Sequence, residues 1–481
     1  MQNDDNGKTP RQGEQPIRNA NGVGRRRILQ AAGAAGFSGT VLGGLLEAAA
    51  PAKAAAFDPK KYAGTKLSIL MIGGEGDERA LSDLLPQFEA ETGMKLEISA
   101  PAIGPLIEKT VQVLKADRSP FDLVNYLGFL ATQQVGGGYF ERLNDLIANP
   151  AETPPDWDFA DFIPGAVNNV GRYDLKTHKK GGEDIYGIPG LHSGSVIYFY
   201  RKDLFDAAGL QPAKTWDEFH AAAKKLNTDK VAGASFIGAN DFSLSEVDWF
   251  TRFITIGGTL LTGDPNGKDF TPHVDSPEGI AALQMLIDLL PYAPKNVTQY
   301  GFSENVDAFS VGKIAQMIFW STIAGQVFDP DKSTVAAVTK TGQVPAAVGQ
   351  KARAVQGGWG VGIPKSSDPA RKAAAWRALT WITNKKVNTY ELGKYNIDAS
   401  RLSAFQDPEI VAKFPYVTDS AAAIASAQTT PLALIDEFFK MNDIMSVEFN
   451  KALIGGQDAK TACGVVQAQW VDILKKGGHL M

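Results

Sequence analysis

Residues 186–220, YGIPGLHSGSVIYFYRKDLFDAAGLQPAKTWDEFH, carry the reading from which the fold follows. Tyr186 to Pro189 is a short apolar run closed by proline, and Gly190, Ser193 and Gly194 open a flexible turn. Val196-Ile197-Tyr198-Phe199-Tyr200 is β-branched and aromatic without polar alternation, which predicts a strand buried on both faces. Asp203–Ala208 predicts a short helix stopped by Gly209. Thr215-x-x-Glu218 is a capping box that opens the next helix, with Trp216 and Phe219 in its first turns.

The same grammar continues on either side. Lys66–Ile72 predicts a first strand, Gly73–Asp77 a turn, and Leu81, Leu84, Leu85 and Phe88 a helix that Gly93 ends. Met94–Ser99 then predicts a second strand, and this β-α-β opening implies a parallel sheet. Ligands of such sheets lie at the carboxyl ends of the strands, which marks Gly74 and Glu75 as candidate contacts. Further strands are expected at Phe121–Tyr126 and Val231–Ile237, and a helix capped by Ser276-Pro277-Glu278 through Leu290. The proline-rich residues 149–164 read as a surface loop or connector, and Gly263–Asp269 as a turn cluster. That cluster carries residue types found in calcium loops, but the spacing is wrong and no bidentate Glu follows.

The order "GIP, turn, aromatic strand ending Tyr-Arg-Lys-Asp-Leu-Phe, Ala-Gly-Leu, Pro, Lys-Thr-Trp-Asp-Glu-Phe" resembles the family 1 extracellular solute-binding proteins. These are the sugar-type, maltose-binding-protein-like receptors of bacterial ABC importers. AFSVGKIAQMIFW at 308–320 and Gln356-Gly357-Gly358-Trp359-Gly360-Val361-Gly362-Ile363-Pro364-Lys365 are similar to two further motifs of that family, and the likeness covers nearly all of residues 57–481. Phe121 stands where the family's strand has proline.

The resemblance implies an α/β, two-lobed periplasmic-binding-protein fold of type II-like topology. Each lobe would be a mostly parallel sheet flanked by helices, with three interlobe crossovers. Lobe one is expected over 57–190 and 335–395, and lobe two over 191–334 and 396–481. The ligand contacts it implies fall on Tyr126, Ser193, Trp320, Ser321 and Arg401, and Asp241 and Gly358 are further candidate contacts. Arg401 would offer a planar donor fork to vicinal oxygens or to an acidic group.

Two domains suit a chain of 481 residues, and its net charge of −5 gives no reason to expect nucleic acid as a partner. The one cysteine, Cys463, excludes a disulfide framework and a cysteine-rich metal site. Residues 1–56 are expected to be a twin-arginine-type export signal: Arg25-Arg26 precede Ile28-Leu29, with Gln30 replacing the usual lysine. Ala31–Leu46 is too short and too glycine-rich to span a bilayer, and cleavage is expected after Ala56. Removing residues 1–56 takes away seven Lys/Arg and four Asp/Glu and leaves net charge −8.

No HExxH, CxxC or GxSxG occurs, and no two of the five histidines have metal-ligand spacing, so neither catalysis nor a metal or cofactor is expected. His192 is the histidine of the expected cleft, with a structural role at the lobe crossing an equal alternative. Trp249, Trp320 and Trp359 follow or flank glycine-rich turns, where each either stacks on the C–H face of a sugar or packs in the core. The expected protein is a monomeric periplasmic receptor that captures a small-molecule solute, a carbohydrate first of all, and delivers it to ABC permease subunits. The alternatives are a polyol, a glycerol-phosphate ester or a polyamine as solute, or a sensor subunit in place of a transport component.

Overall fold

The computed structural model describes residues 56–481 apart from 75, 178, 191–192, 241–243, 265–266, 428–434 and 436. The expected export signal therefore lies, but for Ala56, outside the described residues. No helix among the described residues is long and apolar enough to cross a membrane.

The first lobe is built on β1 (Lys66–Leu70), β2 (Lys95–Ser99) and β3 (Leu123–Leu127). Here β1 pairs parallel with both others, Leu67 opposite Leu96 and Ile69 opposite Leu123. Every residue of β3 is buried, as a central parallel strand covered on both faces requires. Helix Asp77–Thr92 makes the first crossover and ends where Gly93 adopts a left-handed φ of 70°, as the sequence predicts. Two further strands complete the sheet, one antiparallel to β3 and the other antiparallel to that one. These are β4 (Ile188–Pro189) and β8 (Trp359–Gly362), in the order β2-β1-β3-β8-β4.

The second lobe is centred on β5 (Val196–Arg201), buried along nearly its whole length. It lies between β6 (Gln316–Trp320) and β7 (Thr339–Gly342), and both pair with it antiparallel. The expected mostly parallel second sheet is thus corrected for these three strands. Parallel pairing enters this lobe as isolated bridges, Ala232 with Ile314 and Ser235 with Met317, where a strand was expected over 231–237. The capping box is present: Thr215 Oγ1 accepts from the Glu218 N–H at 3.2 Å, and the Glu218 carboxylate accepts from the Thr215 N–H at 3.1 Å. One large cluster, with Phe199, Phe253, Phe319 and Trp470 among its members, forms the core of this lobe.

Two expectations shift. Pairing of β7 with β5 keeps the chain in the second sheet through Gly342, so the return to the first sheet comes later than 335. Residues 149–164 are not only surface: Trp157, Phe162 and Ile163 are buried, and Trp157 meets Trp376 edge-on at 5.3 Å. Proline and acidic residues mark the segment as a loop, but its aromatic side chains cover the core of the first lobe.

His220, in helix Trp216–Leu226, has an Nε2 shielded from solvent with no hydrogen-bond partner among the described residues. Burial first, and Arg252 second, push its pKa down to about 4. The unfolded imidazole takes its proton near the ordinary 6.5, so stability is full above pH 6.5 and is lost as pH falls towards 4. Urea unfolding at pH 7 and pH 5 is expected to give a lower midpoint at pH 5, with a smaller drop in His220→Gln.

Candidate ligand-binding cleft

A cleft of about 1680 Å³ lies between the two sheets. The first lobe contributes strand ends: Gly74 beyond β1, Leu127 at the end of β3, and Gly357 to Trp359 leading into β8. The second contributes Gly194 before β5 and the turn from Trp320 to Ile323 after β6. Residues 394–397 and 413–416 close the remaining side.

Backbone conformation decides which residues the rim tolerates. Gly74 and Gly358 have φ of 93° and 99°, a region open to glycine and strained for other residues. A Cβ on Gly357 would lie 3.2 Å from the Trp320 ring, so that indole rests on bare backbone of the second crossing. Trp320 is half-buried, and the rest of its ring borders the cleft.

Aromatic side chains from several elements border the cleft. Tyr395, Phe414 and Tyr416 come from the third crossing and the chain beyond it, and Phe328 stacks on Tyr416 at 5.1 Å. Phe302 and Phe439, 40% and 38% exposed, stand on the second lobe. Cations border this surface. The exposed Arg79 guanidinium lies 5.9 Å from the Tyr395 ring centroid, without an ion-pair partner among the described residues. Lys394 donates to Asp83 at 2.6 Å, and this ammonium with the Tyr395 and Tyr390 hydroxyls pulls the Asp83 pKa down to about 2.

Of the residues singled out from sequence, Gly74, Trp320, Gly358 and Trp359 are brought together on this cleft. Trp359 does so with its side chain largely in the core beside Tyr126 and Phe140. Ser193 and Ser321 are buried where the lobes cross. Ser193 Oγ lies 2.8 Å from Ser400 Oγ, and Ser321 Oγ donates to the Asp398 carboxylate.

Three expected contacts are corrected. Tyr126 is buried, and its hydroxyl donates to the Val170 carbonyl at 2.5 Å. Trp249 is wholly buried, stacked on Phe253 at 4.7 Å with Nε1 donating to the Gly279 carbonyl at 2.9 Å. Arg401 has no exposed surface. Its Nε donates to the Thr383 carbonyl at 2.6 Å, Nη1 reaches Asp158 O and Asp161, and the guanidinium lies 3.8 Å from the Phe162 centroid. Burial lowers its pKa to about 10, which leaves the guanidinium charged at neutral pH. Glu75, His192 and Asp241 lie outside the described residues.

Sequence reasoning missed Arg79, Lys394, Tyr395 and the run Lys413-Phe414-Pro415-Tyr416. The available signal was an aromatic pair around a proline between two helices. It does not tell a cleft wall from core.

The family model for bacterial extracellular solute-binding proteins matches residues 73–389, and the chain belongs to that family. Among its relatives, a probable amino-acid ABC transporter periplasmic-binding protein of Sinorhizobium fredii is 25% identical over 91% of this chain and 96% of its own length. The mannitol-binding protein of Pseudomonas aeruginosa is 25% identical over 75% of this chain and 81% of its own. An ABC transporter solute-binding protein of Agrobacterium radiobacter, solved with ribitol, superposes with a TM-score of 0.72 at 25% identity, over 85% of this chain and 98% of that one. Maltose-bound MalE3 of T. maritima reaches 0.72 at 21% identity, over 86% of this chain and 99% of that one, and shares the two-lobed fold.

Removing Arg401 would leave the Asp161 carboxylate without its charge partner and the Thr383 carbonyl without its donor. Arg401→Met is expected to cost about 3 kcal/mol in urea unfolding. Under folding conditions it should leave the affinity for any cleft ligand unchanged in titration calorimetry, which a ligand-contacting arginine would not do.

Proposed function

We propose that this solute-binding protein captures a hydroxyl-rich small molecule, a sugar or a polyol, between its two lobes and hands it to the membrane subunits of an ABC importer. The observation that carries this reading is the aromatic lining of the cleft, above all the half-buried Trp320 ring. A flat π face suits the polarised C–H face of a sugar or an extended polyol, while backbone amides and carbonyls take its hydroxyls. Hydroxyl contacts at about 0.5–1.5 kcal/mol each, with one aromatic platform, supply the ~8 kcal/mol of a micromolar binder. Mannitol and ribitol, the solutes in the names of two relatives, support the polyol branch of this reading. In this reading the protein binds its solute without transforming it, and works in the periplasm after export through the Tat route.

A second reading, a phosphorylated polyol, is favoured by the exposed Arg79 guanidinium on the cleft rim. A planar donor fork matches phosphate bidentately. Binding proteins for sn-glycerol-3-phosphate from Rhizobium meliloti and Brucella abortus are among the relatives.

A thermal-shift panel on residues 57–481 with D-mannitol, ribitol, maltose, sn-glycerol-3-phosphate and putrescine separates these readings. A ligand at 100 times its dissociation constant adds about 2.7 kcal/mol, a readable upward shift. Shifts with mannitol or ribitol are expected; a shift confined to the phosphate ester supports the second reading, and a shift with putrescine alone rejects both. With the responding solute, Trp320→Ala is expected to weaken binding about 2- to 10-fold in titration calorimetry. An unchanged affinity would remove the ring from the site.

A further inference from the structure

The turn at Gly263–Asp269, which resembles an incomplete calcium loop in sequence, meets the opposite lobe. Lys179 Nζ lies 2.5 Å from Asp264 Oδ2. Lys179 starts the second strand of a hairpin, Arg172–Asp174 with Lys179–Ile185, that belongs to the first lobe. Tyr173 anchors that hairpin in the same cluster as Tyr126 and Trp359, and Ile185 is buried with the other core cluster of this lobe. Asp264 belongs to the second lobe, whose core takes in the flanking Leu261 and Phe270.

Both partners are held in place before they meet. Next to Lys179, Lys180 Nζ donates to the Gly128 carbonyl at 2.7 Å and also contacts Asn169 Oδ1 at 3.3 Å, which fixes the hairpin to the end of β3. The Asp264 N–H donates to Asp269 Oδ1 at 2.8 Å and its carbonyl accepts from Gly267 N–H at 2.9 Å, so Asp264 is tied to both residues. The turn is also tied to the chain end, through Phe270 N–H to the His479 carbonyl at 3.0 Å and Met481 N–H to the Lys268 carbonyl at 3.0 Å.

We propose that Lys179, at the start of the hairpin strand Lys179–Ile185, engages Asp264 of the opposite lobe as an ionic latch and biases the lobes towards the closed arrangement. The two side chains are 51% and 35% exposed, which decides the strength of the device. An exposed pair shifts an equilibrium about 1.5- to 5-fold, so it tilts closure without locking it. Exposure also makes it sensitive to ionic strength, because salt screens such a pair over about 10 Å at 0.1 M. The inference rests on the solute-capture reading only in taking the lobes to move, and its test uses no solute.

Single-molecule energy transfer between dyes at Gln112→Cys on the first lobe and Lys224→Cys on the second reads closure directly, with Cys463 buried and unlabelled. In 20 mM NaCl the closed-to-open ratio is expected to fall at least 2-fold in Lys179→Glu and to recover in Lys179→Glu/Asp264→Lys. Raising NaCl to 500 mM should lower the ratio in the parent protein and leave Lys179→Ala unmoved. Circular dichroism identifies a variant that has not folded, and Asp264→Asn, which removes the attraction without adding repulsion, then takes its place with an expected fall of about 1.5- to 5-fold. Identical distributions in parent and variants, or a loss that the charge swap does not recover, overturn the latch. Neither result depends on which solute the cleft takes.

Discussion

Asp398 is where the three crossings of the chain are tied together. It is buried, and a carboxylate is stable away from water only where hydrogen bonds replace its hydration. Its carboxylate takes the Ser321 hydroxyl, and its main-chain carbonyl takes the Ser193 N–H at 3.0 Å. The Ser321 oxygen accepts in turn from the Ser195 N–H at 3.0 Å, and Ser195 bridges to Gln356. One short polar cluster thus holds the first crossing at Ser193–Ser195, the second at Gln356, the third at Asp398–Ser400, and the end of β6. Directional bonds fix the register of these crossings, where an apolar seam would permit slippage. The cleft geometry follows from that register, because Gly194, Gly357 and Ile397 each adjoin a member of the cluster and line the cleft.

Each lobe also buries an arginine against an aspartate. In the first, Arg401 is buried with its charge compensated by Asp161 and by two main-chain carbonyls. In the second, Arg252 is buried beside Asp248 and lies 4.7 Å from the Trp216 ring centroid. Burial raises the Asp248 carboxyl to about 6 and lowers the arginine, with their mutual attraction opposing both shifts. These two arginines serve the cores; the arginine that borders the cleft is the exposed Arg79.

Much of the architecture is legible in the sequence because it is written in local signals. Alternation is absent from β3 and β5, glycine ends the first helix, and the Thr215 box starts another. Non-local pairing is not written that way. β7 reads Thr-Lys-Thr-Gly, with little strand character of its own, and exists because β5 offers it an edge. Trp249 beside a turn looks the same from sequence as Trp320 beside a turn. Only the fold sends one into the core and the other to the cleft. Arg401 and Ser193 likewise fit the pattern of ligand contacts, because a residue at a lobe crossing and a residue at a ligand lie within a few positions of each other.

Closure of two lobes around a solute depends on a small free-energy difference between arrangements, not on the strength of either. The Asp398 cluster joins the crossings themselves, through buried hydrogen bonds that salt does not screen. The Lys179–Asp264 pair joins the lobes outside that cluster and between exposed side chains. Its partial exposure keeps its contribution within the range that a bound solute readily outweighs or adds to. The buried cluster at the crossings and the exposed ion pair between the lobes thus differ in kind: the first is directional and shielded from solvent, the second is weak and open to screening.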